Sequence, residues 1–293
     1  MRRISGGFTL IELIIVITLM GSMLAIVGAF MNRPFQAYED QSNRSKLVTV
    51  ITSALINMKR DVSNSVPNSL RVISTGTDPT SDNTSLEMLN IYTGGRYRYT
   101  DSNDPSTNAN ALSPGLTDSS FNVLGTIKSP LPTGSRMIVN PLNTSKLYAA
   151  ALSGTDGIIT PDTTTLASSK DNLATNEEYT VTIDPVFQFD LLGTGSRRKR
   201  FYISDTPITY RCDMSAGEKK LTRYRGYSIV DPQNAGAPTG ATASLILENL
   251  NFCEITYDAG TATRSGVVTI TLGTEIDGES LSMVQQLQVS NAP

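Results

Sequence analysis

Gly6-Gly7-Phe8-Thr9-Leu10-Ile11-Glu12-Leu13 is the stretch from which the architecture of this chain follows. Before it stands a short basic segment, Met1-Arg2-Arg3-Ile4-Ser5. After it an apolar run continues to Met31, interrupted only by Thr18 and the small residues Gly21, Ser22 and Gly28. Beyond Glu12 the nineteen residues 13–31 carry no charge. As a helix rising about 1.5 Å per residue they reach roughly 28 Å, close to one hydrocarbon thickness. A secretory signal has a shorter apolar core followed by its cleavage site, whereas here the glycine pair comes first. Cleavage between Gly7 and Phe8 therefore leaves the apolar helix on the protein.

Glu12 is the odd residue of this run. A carboxylate in hydrocarbon is expensive and marks a function. Cleavage after Gly7 creates a positive amine at Phe8, one helical turn before Glu12. An amine at a helix start and a side chain pointing outward meet poorly within one chain. A neighbouring helix staggered by a turn brings them together well.

The heptapeptide Gly7-Phe8-Thr9-Leu10-Ile11-Glu12-Leu13 resembles the cleavage and methylation motif of type IV pilins and type II secretion pseudopilins. The resemblance implies a prepilin peptidase that cuts after Gly7 and N-methylates Phe8, and assembly in which Glu12 pairs with the Phe8 amine of an adjoining subunit. It also implies a leader over residues 1–7, a transmembrane and assembly helix over 8–31, and other pilins or pseudopilins as partners. Retention of the basic leader on the cytoplasmic side places the remainder across the inner membrane, in the periplasm.

Past Asn32-Arg33-Pro34 the chain turns polar but keeps a helical stripe, Val48, Ile51, Leu55, Met58 and Val62. Spacings of three and four residues predict an amphipathic helix over 32–65 that docks on the protein's own sheet. Pro34 predicts a kink, and Asn64-Ser65-Val66-Pro67-Asn68 a stop.

From residue 66 to 293 the helical period gives way to short alternating runs separated by Gly, Pro, Asn, Asp, Ser and Thr. Strands are expected at 70–73, 86–92, 96–99, 137–139, 179–183, 201–203, 208–212, 221–227, 245–247, 252–257, 267–272 and 283–289. Long polar loops are expected at 75–83, 101–117 and 154–176. The predicted fold class is α+β: a long N-terminal helix packed on one mainly antiparallel β head. Asp277-Gly278-Glu279 reads as a turn between two strands.

Composition narrows the chemistry. The formal net charge of −3 lacks the basic footprint of a nucleic-acid binder. The absence of histidine removes Ser-His-Asp and Cys-His nucleophiles and every His-bearing metal site. No phosphate loop or dinucleotide fingerprint is present, and neither an enzymatic activity nor a cofactor is expected. Asp101, Asn103 and Asp104 lack the full spacing of a calcium loop, so no metal is expected there. Cys212 and Cys253 are too few for a four-cysteine metal site and too far apart for a C-x-x-C pair. In an oxidising compartment they are expected to form one disulfide, closing a loop of about 42 residues worth roughly 4 kcal/mol. The run Arg197-Arg198-Lys199-Arg200 is expected to be a solvated strand edge.

The head narrows the resemblance. Pro207-Ile208-Thr209-Tyr210-Arg211-Cys212, Asn251-Phe252-Cys253-Glu254-Ile255-Thr256-Tyr257 and the closing Gln285-Gln286-Leu287-Gln288-Val289 are similar to the large minor pilins of the mannose-sensitive haemagglutinin pilus system. These imply a subunit of pilus assembly or initiation, placed at the tip. J-type minor pseudopilins of type II secretion and W-type minor pilins share the size and plan. An adhesin-like tip module that uses the long loops is the alternative from another functional class.

Overall fold

One helix, α1 (Leu10–Ser63), carries both the apolar span and the amphipathic stretch, without a break at Pro34. The computed structural model describes residues 7, 9–98, 110–171, 178–189, 195–215, 217, 219–260 and 264–289, with the backbone alone at 29, 31–35 and 171. α1 ends where Asn64 donates its backbone N–H to the Arg60 carbonyl at 3.1 Å.

The head-side half of α1 buries Leu47, Ile51, Ala54, Leu55, Met58 and Val62, each at most 4% exposed. Val48, expected to open this stripe, is 43% exposed. Leu47 takes its place because Leu47, Ile51 and Leu55 stack at i, i+4 spacing on one face. Each such side chain stabilises the fold by about 1.5–3 kcal/mol.

Two sheets receive this face, and all their pairings among the described residues are antiparallel. The larger has nine strands: β1 (Arg71–Ser74), β2 (Thr84–Tyr97), β3 (Thr117–Leu124), β4 (Arg136–Val139), β5 (Thr165–Asp171), β6 (Glu178–Gln188), β7 (Arg200–Asp213), β8 (Lys220–Arg225) and β9 (Thr242–Glu248). The smaller has three: β10 (Leu250–Asp258), β11 (Gly266–Ile276) and β12 (Glu279–Val289). A second helix, α2 (Thr144–Ser153), lies between β4 and β5 in sequence. The fold is α+β.

β2 and β7 pair along their length and form the spine. Near α1 the spine is flanked by β1 on β2 and by β8 and β9 beyond β7. Farther along, β3, β6 and β5 extend from β2, and β4 pairs with β7. Register shifts between Leu89 and Thr93 change the phase of alternation. Even-numbered Ile208, Tyr210 and Cys212 thus face the core shared with α1 and the small sheet, while odd-numbered Phe201 and Ile203 face a second core with Tyr97, Phe121 and Val181. A third core lies under α2, around Tyr148, Leu89 and Ile138.

Several expected boundaries are corrected by this spine. Residues 86–92 and 96–97 belong to a single strand, which ends at Tyr97, and 201–203 and 208–212 to another. Gly94 and Gly95, which suggest a break, instead permit close pairing: a Cβ on Gly94 would stand 2.8 Å from the Phe201 carbonyl oxygen. Pro207 is tolerated centrally because β4 pairs β7 only as far as Ser204 and β8 pairs it only from Ile208 onward, so no ladder partner waits for its missing N–H. The expected loop at 154–176 contains β5, an edge strand whose Ser/Thr content hides it. α2 was not expected, although Asn143 caps its start and Gly154, at φ 66°, its end.

Asp277 and Gly278, both at positive φ, form the two-residue turn between β11 and β12. Cys212 on β7 and Cys253 on β10 are joined, with Cα atoms 6.4 Å apart, linking the two sheets through the core beside α1.

Candidate functional site

Thr9 is the N-cap of α1, with extended backbone (φ −79°, ψ 149°). Its hydroxyl accepts from the Glu12 backbone N–H at 3.4 Å, while Glu12 Oε2 accepts from the Thr9 backbone N–H at 3.1 Å and the Thr9 hydroxyl at 3.0 Å. This reciprocal capping box satisfies two orphan donors and sets a negative charge at the positive end of the helix dipole. Thr-x-x-Glu before an apolar run is itself a local sequence signal for such a cap. Both hydrogen bonds to the carboxylate use Oε2; among the described residues nothing engages Oε1.

The helix beyond this cap is bare. Leu10–Gly28 is long and apolar enough to cross a membrane, with a mean hydropathy of 2.6, and none of it is buried. Every large apolar side chain described from Leu10 to Phe30 is at least 44% exposed. Gly7 is exposed just before the helix. Phe8, the expected new terminus, lies outside the described residues, as do Asp101, Asn103 and Asp104.

Replacing Thr9 by valine keeps the shape but removes the cap acceptor, at about 1 kcal/mol. The expected result is about fivefold faster amide exchange in the first turn, at Ile11 to Leu13, with Thr9→Ser close to the parent. Unchanged exchange in Thr9→Val would show that the box does not hold the helix start.

At the other end of α1 a buried polar contact fixes the helix to the head. Asp61 Oδ2 accepts from the Tyr210 hydroxyl at 2.7 Å and from Arg223 Nε at 2.6 Å. Burial, then the adjacent Asp61, pushes the Tyr210 hydroxyl well above its ordinary value, so it remains a donor. A separation of 149 or more residues between these partners leaves no local sequence signal.

A second buried network lies between the spine and α2. Arg71 pairs with Glu87 at 2.9 Å and Asp231 at 3.1 Å, and its guanidinium stacks 3.5 Å from the Tyr148 ring centroid. Burial raises the Glu87 carboxyl despite the attraction of Arg71. Among the described residues Arg71 Nε has no hydrogen-bond partner, while its two terminal nitrogens are paired, and these contacts hold β1, β2 and α2 together.

The basic run is not a strand edge. Arg197 and Arg198 are exposed in a turn, Lys199 adopts φ 55°, and Arg200 starts the central strand β7. Among the described residues no three acidic or cysteine side chains gather as a metal group.

Residues 2–28 match the prokaryotic N-terminal methylation motif. No curated protein and no solved structure matches the chain. The motif, with the bare apolar helix that follows it, supports a pilin- or pseudopilin-type structural subunit anchored in a membrane, associated with other pilins and processed by a prepilin peptidase.

Proposed function

We propose that the chain is a minor pilin-like subunit of a type IV pilus of the mannose-sensitive haemagglutinin type, acting in pilus assembly or initiation with its head outside the cytoplasm. The observation that carries this reading is the Thr9–Glu12 box at the head of an unburied apolar helix. With Oε2 held by Thr9, Oε1 is left to accept the Phe8 amine of a neighbouring subunit without loss of the cap. Packing of that helix against other helices would also cover the apolar surface from Leu10 to Phe30. An inter-sheet disulfide fits a head maturing in an oxidising compartment, and the large head suits a tip or initiating position.

The test is the distribution of subunit between membrane and sheared filaments. Wild type is expected in both fractions. Glu12→Ala is expected at normal level in the membrane and absent from filaments. Equal incorporation of Glu12→Ala would refute the role given to this carboxylate, and absence of the wild type from filaments would refute the pilus reading.

A further inference from the structure

Two arginines face each other across β2 and β7 at the end of the head away from α1, and two more lie in the turn that enters β7. Ser65, just past α1, bridges to Asn90 of β2, and β2 continues to Tyr97. Arg96 thus stands about 20 Å along the strand from the level at which the chain leaves the helix. It is paired directly with Arg200 of β7. The Tyr97 N–H donates to the Lys199 carbonyl at 2.9 Å, which makes the adjoining Arg96–Arg200 pair a non-hydrogen-bonded one, the kind whose side chains stand closest.

Like charges directly opposite one another destabilise a sheet. Among the described residues no ion pair involves Arg96, Arg197, Arg198 or Arg200. The turn carrying Arg197 and Arg198 is itself fixed. Buried Ser196 donates its N–H to the Tyr97 hydroxyl at 3.2 Å, its carbonyl accepts from the Lys199 N–H at 2.9 Å, and its hydroxyl accepts from the Arg200 N–H at 3.2 Å. Between the paired arginines, Gly95, Leu124, Phe201 and Tyr202 line an open hollow of about 320 Å³. The register therefore sets two like-charged residues directly opposite each other, and two more arginines stand exposed in the adjoining turn.

We propose that this patch binds a phosphate-bearing polymer, with Arg96 and Arg200 clamping one phosphate and Arg197 and Arg198 engaging its neighbours. Guanidinium groups match phosphate oxygens in bidentate geometry. A nucleic acid would in addition need open aromatic faces on which to stack its bases, whereas Phe201 is fully buried and Tyr202 is half-buried against the core under α2. This function is independent of assembly through α1, since no residue of that helix takes part.

The full chain in non-ionic detergent, titrated with long-chain polyphosphate, tests the proposal. Wild type is expected to bind with an affinity that falls as salt is raised. Arg96→Ser combined with Arg200→Ser is expected to lose at least about tenfold in affinity, with a melting temperature equal to or above that of the parent because the repulsion is gone. Arg197→Ser with Arg198→Ser, in an exposed turn, is expected to weaken binding without touching the spine. Lys59→Ser with Lys146→Ser, which removes the same charge from α1 and α2, is expected to leave binding within about twofold. Full binding by both arginine variants would overturn the proposal, as would equal loss in the lysine control. Displacement by orthophosphate or phosphatidylglycerol micelles at the same phosphate concentration, or tighter binding of single-stranded DNA, would also overturn it.

Discussion

Gly7→Ala is expected to leave the chain uncut and to abolish its incorporation into filaments, while the head keeps its melting temperature. A Cβ at Gly7 meets no atom within 4 Å, so alanine is accommodated without strain in the subunit. The cost therefore falls on the peptidase, which must bring catalytic groups to the backbone of the scissile bond. A residue without a side chain permits that close approach. Electrophoretic mobility of the membrane-bound subunit, compared with and without co-expressed peptidase, reads the effect. A Gly7→Ala chain processed as fully as wild type would remove Gly7 from the recognition site.

The second large effect concerns the seam between helix and head. Asp61→Ala is expected to destabilise the protein by about 3–5 kcal/mol, because it strands the Arg223 guanidinium and the Tyr210 hydroxyl in a buried site. Arg223→Met is expected to cost less, because Arg60 Nε, 3.6 Å from Asp61 Oδ1, and the Tyr210 hydroxyl still face the carboxylate. The double change Asp61→Ala with Arg223→Met is expected to cost less than the sum of the two single changes, since no buried charge then lacks a partner. Tyr210→Phe should cost less, about 0.5–1.5 kcal/mol, the net worth of one hydrogen bond. Urea unfolding of the four variants in detergent orders them. Additive losses in the double variant would show that Asp61 and Arg223 act separately.

How much of this molecule is legible in its sequence depends on the distance over which each feature is encoded. The apolar span and its Gly-Gly-Phe entry are local, and so is the Thr9–Glu12 box, which was open to reading as a cap. The amphipathic stripe of α1 is legible to within one residue. Its first member is Leu47 and not Val48, because the orientation of the helix is settled by two sheets formed much later in the chain. Strands of the spine are visible as alternation, yet Gly94-Gly95 and Pro207 divide them on paper. In the fold, the glycines answer to the approach of Phe201, and the proline falls in a gap between two partner strands. β5 is obscured by polar residues suited to an exposed sheet, and its pairing with β6 decides its conformation.

The candidate sites divide in the same way. Gly7, Phe8 and Glu12 stand out by their order before an apolar run, and the roles proposed for them rest on the resemblance to prepilin motifs. Asp61, Tyr210 and Arg223 are unremarkable singly and acquire a role only through contacts spanning most of the head. Arg96 is likewise silent until β2 places it opposite Arg200, beside the turn that carries Arg197 and Arg198.

The most direct test of the central claim is the mass of the mature N-terminal peptide from cells carrying the peptidase. A subunit of the pilin type is predicted to begin at Phe8 with a methylated amine, its first seven residues removed. A chain that still begins at Met1 in the presence of active peptidase would contradict the account and leave a simple membrane-anchored protein.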